Sequence, residues 1–342
     1  MEGFVKISKY AGMREDLVQA GGGNSSCKLE GNKMVIKASG FQLADVTDTS
    51  GYAIVDARKI RDAFLYAENL DKMTEAESKK ILEEAFVEGA RPSIETFLHA
   101  ISGKYTLHTH SIVVNALTCR KNWKDELTVL FKEALYVPYA TPGVELAKAF
   151  FEAYKEYGID KTPEIVFLQN HGLVVSANTA DDVIAKTEEV VKTIEDYLRC
   201  DFSSYHNLTD IWKLFPDKIV WQVTDKNVLD MFLQENKLWD YTFCPDCVVF
   251  LGKKALVLPD RLSKAYVETF REKYGTPVIV QYQKDLYILA DNVKKAMEIQ
   301  SVMSFSSQVM KYNVEVECNL LSDAEQNFLL NWEAEKYRQS IK

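Results

Sequence analysis

The stretch Tyr105-Thr106-Leu107-His108-Thr109-His110-Ser111-Ile112-Val113-Val114 carries two imidazoles two residues apart. Its alternation of apolar and polar residues predicts a strand, in which positions i and i+2 project to one face. His108 and His110 then point the same way. Joined by a third donor from elsewhere, such a pair makes an open three-ligand site for a divalent metal, with a position left for water or substrate. The chain has five histidines, so few candidates for the third remain. His171, in Phe167-Leu168-Gln169-Asn170-His171-Gly172-Leu173-Val174-Val175, sits between two apolar runs that read as neighbouring strands of a hairpin. At the turn it is a candidate to close the triad.

His-x-His alone is a weak signal, because polar strand faces carry histidine pairs without any metal. A carboxylate lies just upstream. Arg91-Pro92-Ser93-Ile94-Glu95-Thr96-Phe97-Leu98-His99-Ala100 predicts the opening of a helix, with Pro92 and Ser93 at its start and Glu95 in the first turn. Glu95 there is either a partner of the helix dipole or a general base beside the histidine strand. His99 reads as a packing or hydrogen-bonding histidine. Gly21-Gly22-Gly23-Asn24-Ser25-Ser26 is either a plain turn or a loop whose backbone N–H groups and short polar side chains hold a phosphate or another oxyanion. Its glycines are contiguous and precede a hairpin, so it is not a dinucleotide-binding fingerprint, which disfavours a nicotinamide oxidoreductase.

These residues need elements to position them. A helical pattern runs over 4–19, and a hairpin follows with its turn at Glu30-Gly31-Asn32-Lys33. Helical periodicity covers 57–89 with a polar loop near Asp71-Lys72-Met73-Thr74, then 122–135, 144–157 and 181–198. The periodicity lapses around Ser203-Ser204-Tyr205-His206, which places a boundary there: a domain over 1–205 and a smaller α/β subdomain over 206–342. The second part alternates expected strands (247–251, 255–258, 278–282, 286–289) with helices over 291–311 and 323–339. Cys244-Pro245-Asp246-Cys247 has the spacing of a metal knuckle or a redox motif. There is no second Cys-x-x-Cys, and the expected strand after it argues for ordinary buried or turn cysteines.

At 342 residues the chain can bury a large core, and 47% hydrophobic with 27% charged residues is ordinary for a globular protein. The net charge of −9, with no basic block, disfavours binding to nucleic acid or to an anionic membrane. The N-terminus lacks the pattern of a signal peptide, no apolar run approaches membrane-spanning length, and the six cysteines are scattered, so a cytoplasmic protein is expected.

Gly22-Gly23-Asn24-Ser25-Ser26, Lys37-Ala38-Ser39-Gly40, Pro92-Ser93-Ile94-Glu95, His108-Thr109-His110 and Asn170-His171-Gly172 occur here in one order. Over residues 1 to about 200 this order resembles the class II aldolase/adducin family of zinc-dependent sugar-phosphate aldolases and epimerases. Cys244-Pro245-Asp246, the strand pair from Val278 to Leu289, and Asn331-Trp332-Glu333-Ala334-Glu335-Lys336 resemble the aldolase half of bifunctional rhamnulose-1-phosphate aldolase/alcohol dehydrogenases. The chain ends without their dehydrogenase domain, so a free-standing relative of that half is expected. The resemblance implies a three-layer α/β/α domain with a mostly antiparallel central sheet. It implies one Zn2+ per chain on His108, His110 and His171, Glu95 as general acid/base, and a substrate phosphate held by Asn24, Ser39, Gly40 and Ser93. The implied reaction is reversible aldol cleavage of a ketose 1-phosphate to dihydroxyacetone phosphate and an aldehyde, by a homo-oligomer, a tetramer in relatives. Epimerisation or dehydration on the same site is the alternative, with glutamate rather than aspartate at position 95 leaning towards cleavage. A noncatalytic adducin-like module is the other alternative, and retention of all three histidines and the glutamate argues against it. Two positions depart from the relatives: Ile94 stands where many aldolases carry a hydroxyl, and Cys247 where the bifunctional proteins tend to carry a histidine.

Overall fold

The computed structural model describes residues 1–158, 161–235, 242–313 and 315–331. Two compact units divide the chain, Met1–Phe202 and Ser203–Lys342. The helix Ser203–Leu214 begins the second unit and runs across positions 205 and 206.

The first unit holds the strands β1 (Asn24–Lys28), β2 (Lys33–Lys37), β3 (Tyr52–Asp56), β4 (Phe86–Gly89), β5 (Tyr105–Thr109), β6 (Leu135–Val137), β7 (Ile165–Leu168) and β8 (Gly172–Ala177). They form one sheet in the order β4-β3-β2-β1-β5-β8-β7-β6. Every pairing is antiparallel except β6 with β7. Alternation along β2 sets the layers. Met34 and Ile36 enter a core with Ile60, Phe64, Phe97, Phe150 and Phe151, which come from the helices Ala57–Leu65, Thr96–Ile101 and Val144–Tyr157. Val35 faces the other side, against Phe4 of the helix Glu2–Gly12. On that side the helix Ala180–Leu198 packs against Glu2–Gly12. Phe64 sits at the centre of the first core, its ring 4.6 Å from that of Phe97 and 4.8 Å from that of Phe151. Each such buried side chain contributes roughly 1.5–3 kcal/mol of transfer free energy.

The second unit has β9 (Ile219–Gln222), β10 (Leu256–Leu258), β11 (Ile279–Tyr282) and β12 (Asp285–Ala290), in the order β10-β11-β12-β9. The helix Val293–Lys311 sets Ala296, Ile299 and Met303 against Ile279 and Ile288.

Several elements differ from expectation for identifiable reasons. The first helix ends at Gly12, where an added side chain would lie 2.1 Å from the Ala44 backbone nitrogen, and the Met13 N–H closes that end on the Lys9 carbonyl. The buried Arg14 then holds the chain in turns, bonding Asp16 at 2.6 and 2.7 Å and Glu188 at 2.7 Å. Phe86–Gly89 leaves the helical pattern to pair with β3 as an edge strand. The histidine strand ends at Thr109, and Ile112–Thr118 is helical, with the Ile112 N–H donating to the Asp16 carbonyl. Residues 247–251 are not a strand but part of the helix Pro245–Leu251. The strand β9 and the helices Lys226–Glu235 and Lys264–Tyr274 carried no clear sequence signal. The last expected helix is seen over Asp323–Asn331, and its remainder, with the Trp332 to Lys336 part of the terminal motif, lies outside the described residues. Among the described residues, no helix is long and apolar enough to cross a membrane.

Candidate functional site

Three separate segments bring four donors together. Glu95 precedes the helix Thr96–Ile101 at its N-cap position, and its side chain makes no capping bond, which leaves the carboxylate to turn elsewhere. His108 lies in β5, and His110 follows its last residue. In the β5–β8 pairing His108 is opposite Val174 and Thr109 opposite Leu173, so the β7–β8 turn carrying His171 falls at the same end of the sheet as His110. The Nε2 atoms of His108 and His110 are 3.2 Å apart. Glu95 Oε1 lies 3.5 Å from His108 Nε2 and 3.3 Å from His171 Nε2. One donor atom from each of these four residues lies within 4.8 Å of the others.

Supporting contacts orient this cluster. His108 Nδ1–H donates to the Leu173 carbonyl at 3.0 Å, which turns Nε2 towards His110 and Glu95. The Asn115 amide donates to the His171 carbonyl at 3.1 Å. Asn24 pairs with His108 across β1 and β5, and its side-chain N–H donates to Glu95 Oε2 at 3.4 Å. Three glycines permit the close approach. A Cβ at Gly22 would lie 2.6 Å from His110 Nδ1, one at Gly23 2.9 Å from the His108 carbonyl oxygen, and one at Gly172 2.1 Å from the Thr109 carbonyl oxygen. Within the glycine run, Gly22 and Gly23 are thus a packing requirement of the histidine segment, whereas Gly21 has open space.

Charge follows from burial. Burial, with His108 and His171 nearby, pushes the His110 imidazole down to about 3, so it stays neutral. Burial also opposes charge on Glu95, but the attraction and hydrogen bonds of His108 and His171 outweigh it and hold the carboxyl well below its ordinary range. Burial likewise opposes charge on His108, and Glu95 overcomes it, raising that imidazole. Three imidazole nitrogens and a carboxylate oxygen at this spacing are a donor set that fits a divalent cation.

The other expected site residues lie on two adjoining loops. Ser39 N–H donates to the Arg91 carbonyl at 2.9 Å, and Ala38 bridges antiparallel to Pro92, so Ser39 lies opposite Arg91 while Ser93 falls on the Lys37 side of the bridge. Gly40 has a φ of +85° and open space where a Cβ would be. The Ser93 hydroxyl accepts from the Glu95 N–H at 3.3 Å, fixing the backbone before the carboxylate. His99 stays apart from the cluster: it is fully buried, with Nδ1 2.7 Å from the Ser26 hydroxyl. Lys37 was visible in the motif but had no role assigned. It is 3% exposed, with its ammonium donating to the carbonyls of Phe41 at 2.7 Å and Gly21 at 3.2 Å. Burial pushes its pKa down and Glu95 opposes that shift, a relation that only the fold reveals.

Residues 2–198 match the family of class II aldolase and adducin N-terminal domains. This chain belongs to that family. The chain is also 29% identical over 214 residues to the uncharacterized oxidoreductase YuxG of Bacillus subtilis, a match covering 58% of this chain and 29% of YuxG. It therefore spans less than a third of that curated relative. Among solved structures, the N-terminal class II aldolase domain of a conserved protein from Thermoplasma acidophilum has a TM-score of 0.50 and 25% identity, covering 57% of this chain and 92% of that one. The L-fuculose-1-phosphate aldolase from Thermus thermophilus has a TM-score of 0.39 and 18% identity, covering 62% of this chain and 95% of that one. In this class II aldolase-family chain, the four converging donors and both adjoining loops all fall inside the matched segment.

Proposed function

We propose that this class II aldolase-family chain is a zinc-dependent lyase that reversibly cleaves a ketose 1-phosphate to dihydroxyacetone phosphate and an aldehyde. The observation that carries this reading is the convergence of Glu95, His108, His110 and His171 within 4.8 Å, in a chain of this family. His108, His110 and His171 would hold the metal through Nε2. A divalent cation bound there supplies Lewis-acid polarisation of a substrate ketone oxygen and its neighbouring hydroxyl.

Glu95 is the general acid/base. Kept as a carboxylate, it accepts a proton from the carbon beside the ketone in the condensation direction and returns it to that carbon in cleavage. The Asn24 amide on Oε2 fixes the carboxylate's orientation. Ser39, Gly40, Ser93 and the remaining donor capacity of Asn24 hold the substrate phosphate and so position the reacting bond. The same reading takes the active species to be a homo-oligomer, a tetramer by family resemblance.

The test is elemental analysis of the purified wild type, His108→Ala and Glu95→Gln, followed by a screen of ketose 1-phosphates for dihydroxyacetone phosphate release. The expected result is about one zinc per chain in the wild type, lost in His108→Ala. Glu95→Gln keeps its metal and loses at least about 100-fold in turnover. A metal-free wild type that also fails to take up added zinc sinks the proposal.

A further inference from the structure

Cys244 and Cys247 lie in the second unit, and no step proposed for the histidine site uses them. Their sequence spacing suits a dithiol, but an expected strand after them argued against that role. A helix stands there instead, with Pro245 at its first position. Cys244 precedes this helix in an extended conformation (φ −141°, ψ 159°), and Cys247 is about one turn further on. The two sulfurs therefore meet, 3.3 Å apart, both as thiols. A disulfide needs about 2.04 Å, so an approach of roughly 1.3 Å closes the bond. The sulfurs differ in access. Cys247 is 5% exposed and its Sγ lies 3.1 Å from the Ser306 hydroxyl on the helix Val293–Lys311, whereas Cys244 is partly open to solvent.

We propose that Cys244 and Cys247 form a thiol–disulfide exchange site that reduces low-molecular-weight disulfides, with Cys244 as the attacking sulfur and Cys247 as the resolving one. The Cys244 thiolate attacks one sulfur of a disulfide RSSR. That S–S bond breaks, the first RS⁻ departs with the bonding electron pair, and Cys244 is left in a mixed disulfide. Cys247 then gives up its proton to that first thiolate and attacks the Cys244 sulfur. A second RS⁻ leaves and takes a proton from solvent, replacing the one Cys244 released. Two protein thiols are oxidised to one disulfide, and one RSSR is reduced to two RSH. Burial pushes the Cys247 thiol up to about 11, which agrees with its acting second, once a thiolate is released beside it.

Oxidised glutathione is the probe, applied to the full chain and read by peptide mass mapping. In the wild type, the peptide containing both cysteines loses two hydrogens and regains them with dithiothreitol. Cys247→Ser accumulates a stable glutathione adduct on Cys244. Cys244→Ser takes up glutathione at Cys247 at least about tenfold more slowly than that. A wild-type peptide that remains a dithiol while the exposed Cys119 becomes glutathionylated overturns the proposal, and that result needs neither variant. Equal adduct rates at the two cysteines overturn the assignment of attacking and resolving sulfurs.

Discussion

Gly172 shows how a residue without a side chain constrains the chemistry beside it. It follows His171 and opens β8, where an added methyl would lie 2.1 Å from the Thr109 carbonyl oxygen and 3.3 Å from the His110 Cα. Neither is the yielding end of a flexible side chain, so the strands must separate. Gly172→Ala is expected to destabilise the chain by about 1–3 kcal/mol through overpacking. The same separation pulls His171 from His108 and His110 and is expected to weaken uptake of the metal proposed for this site. Urea unfolding and a zinc titration check both effects; unchanged stability would mean that β5 and β8 are not packed this closely. The motif Asn-His-Gly is readable in the sequence, but the atom that makes glycine necessary lies on another strand.

Among elements, the helix Lys226–Glu235 has a carboxylate before its first turn that serves the backbone there. Asp225 accepts from the Asn227 N–H at 2.9 Å and the Val228 N–H at 3.4 Å, and the Ser304 hydroxyl also donates to it. The Ser304 bond, with help from those backbone donors, holds the Asp225 pKa below its ordinary value. A carboxyl depressed on folding contributes stability above its unfolded pKa of about 3.9, and that stability is lost as pH falls through the lower folded value. Asp225→Ala is therefore expected to cost about 0.5–2 kcal/mol at neutral pH and to lose less stability than the wild type on acidification below about pH 4. Parallel stability–pH curves for the two proteins would contradict it. Elements also show where sequence patterns are ambiguous. Cys247-Val248-Val249-Phe250-Leu251 is a short apolar run compatible with strand or helix. Pro245 at the helix start and Gly252, with a φ of +69° at its end, are the signals that mark it as helix.

At the scale of the molecule, the cores follow the division of the chain. Met34, Phe64, Phe97 and Phe151 share one cluster within Met1–Phe202, and Phe232, Ile279, Ile288 and Met303 share another within Ser203–Lys342. The site donors Glu95, His108, His110 and His171 all belong to the first unit. A protein of residues 1–202 is therefore expected to fold alone, melt cooperatively and bind zinc. Circular dichroism melting with a zinc titration tests this; a fragment that is unfolded, or folded without zinc affinity, would show that the first unit needs the second.

The sequence by itself determined the candidate donors, the order of the family motifs, the hairpin at 30–33, the helices over 144–157 and 181–198 and the β11–β12 pair. These signals are local: residue type, periodicity of 2 or 3.6, and turn chemistry at adjacent positions. Only the tertiary structure decided that His110 lies past the end of its strand, that Asn24 reaches Glu95 across 71 positions of chain, and that Gly22 and Gly172 make room beside the histidines. Only it put Lys37 in the field of Glu95 and turned a dismissed cysteine pair into two sulfurs 3.3 Å apart. Strand register and helix packing set distances between segments remote in sequence, and no local pattern encodes those distances.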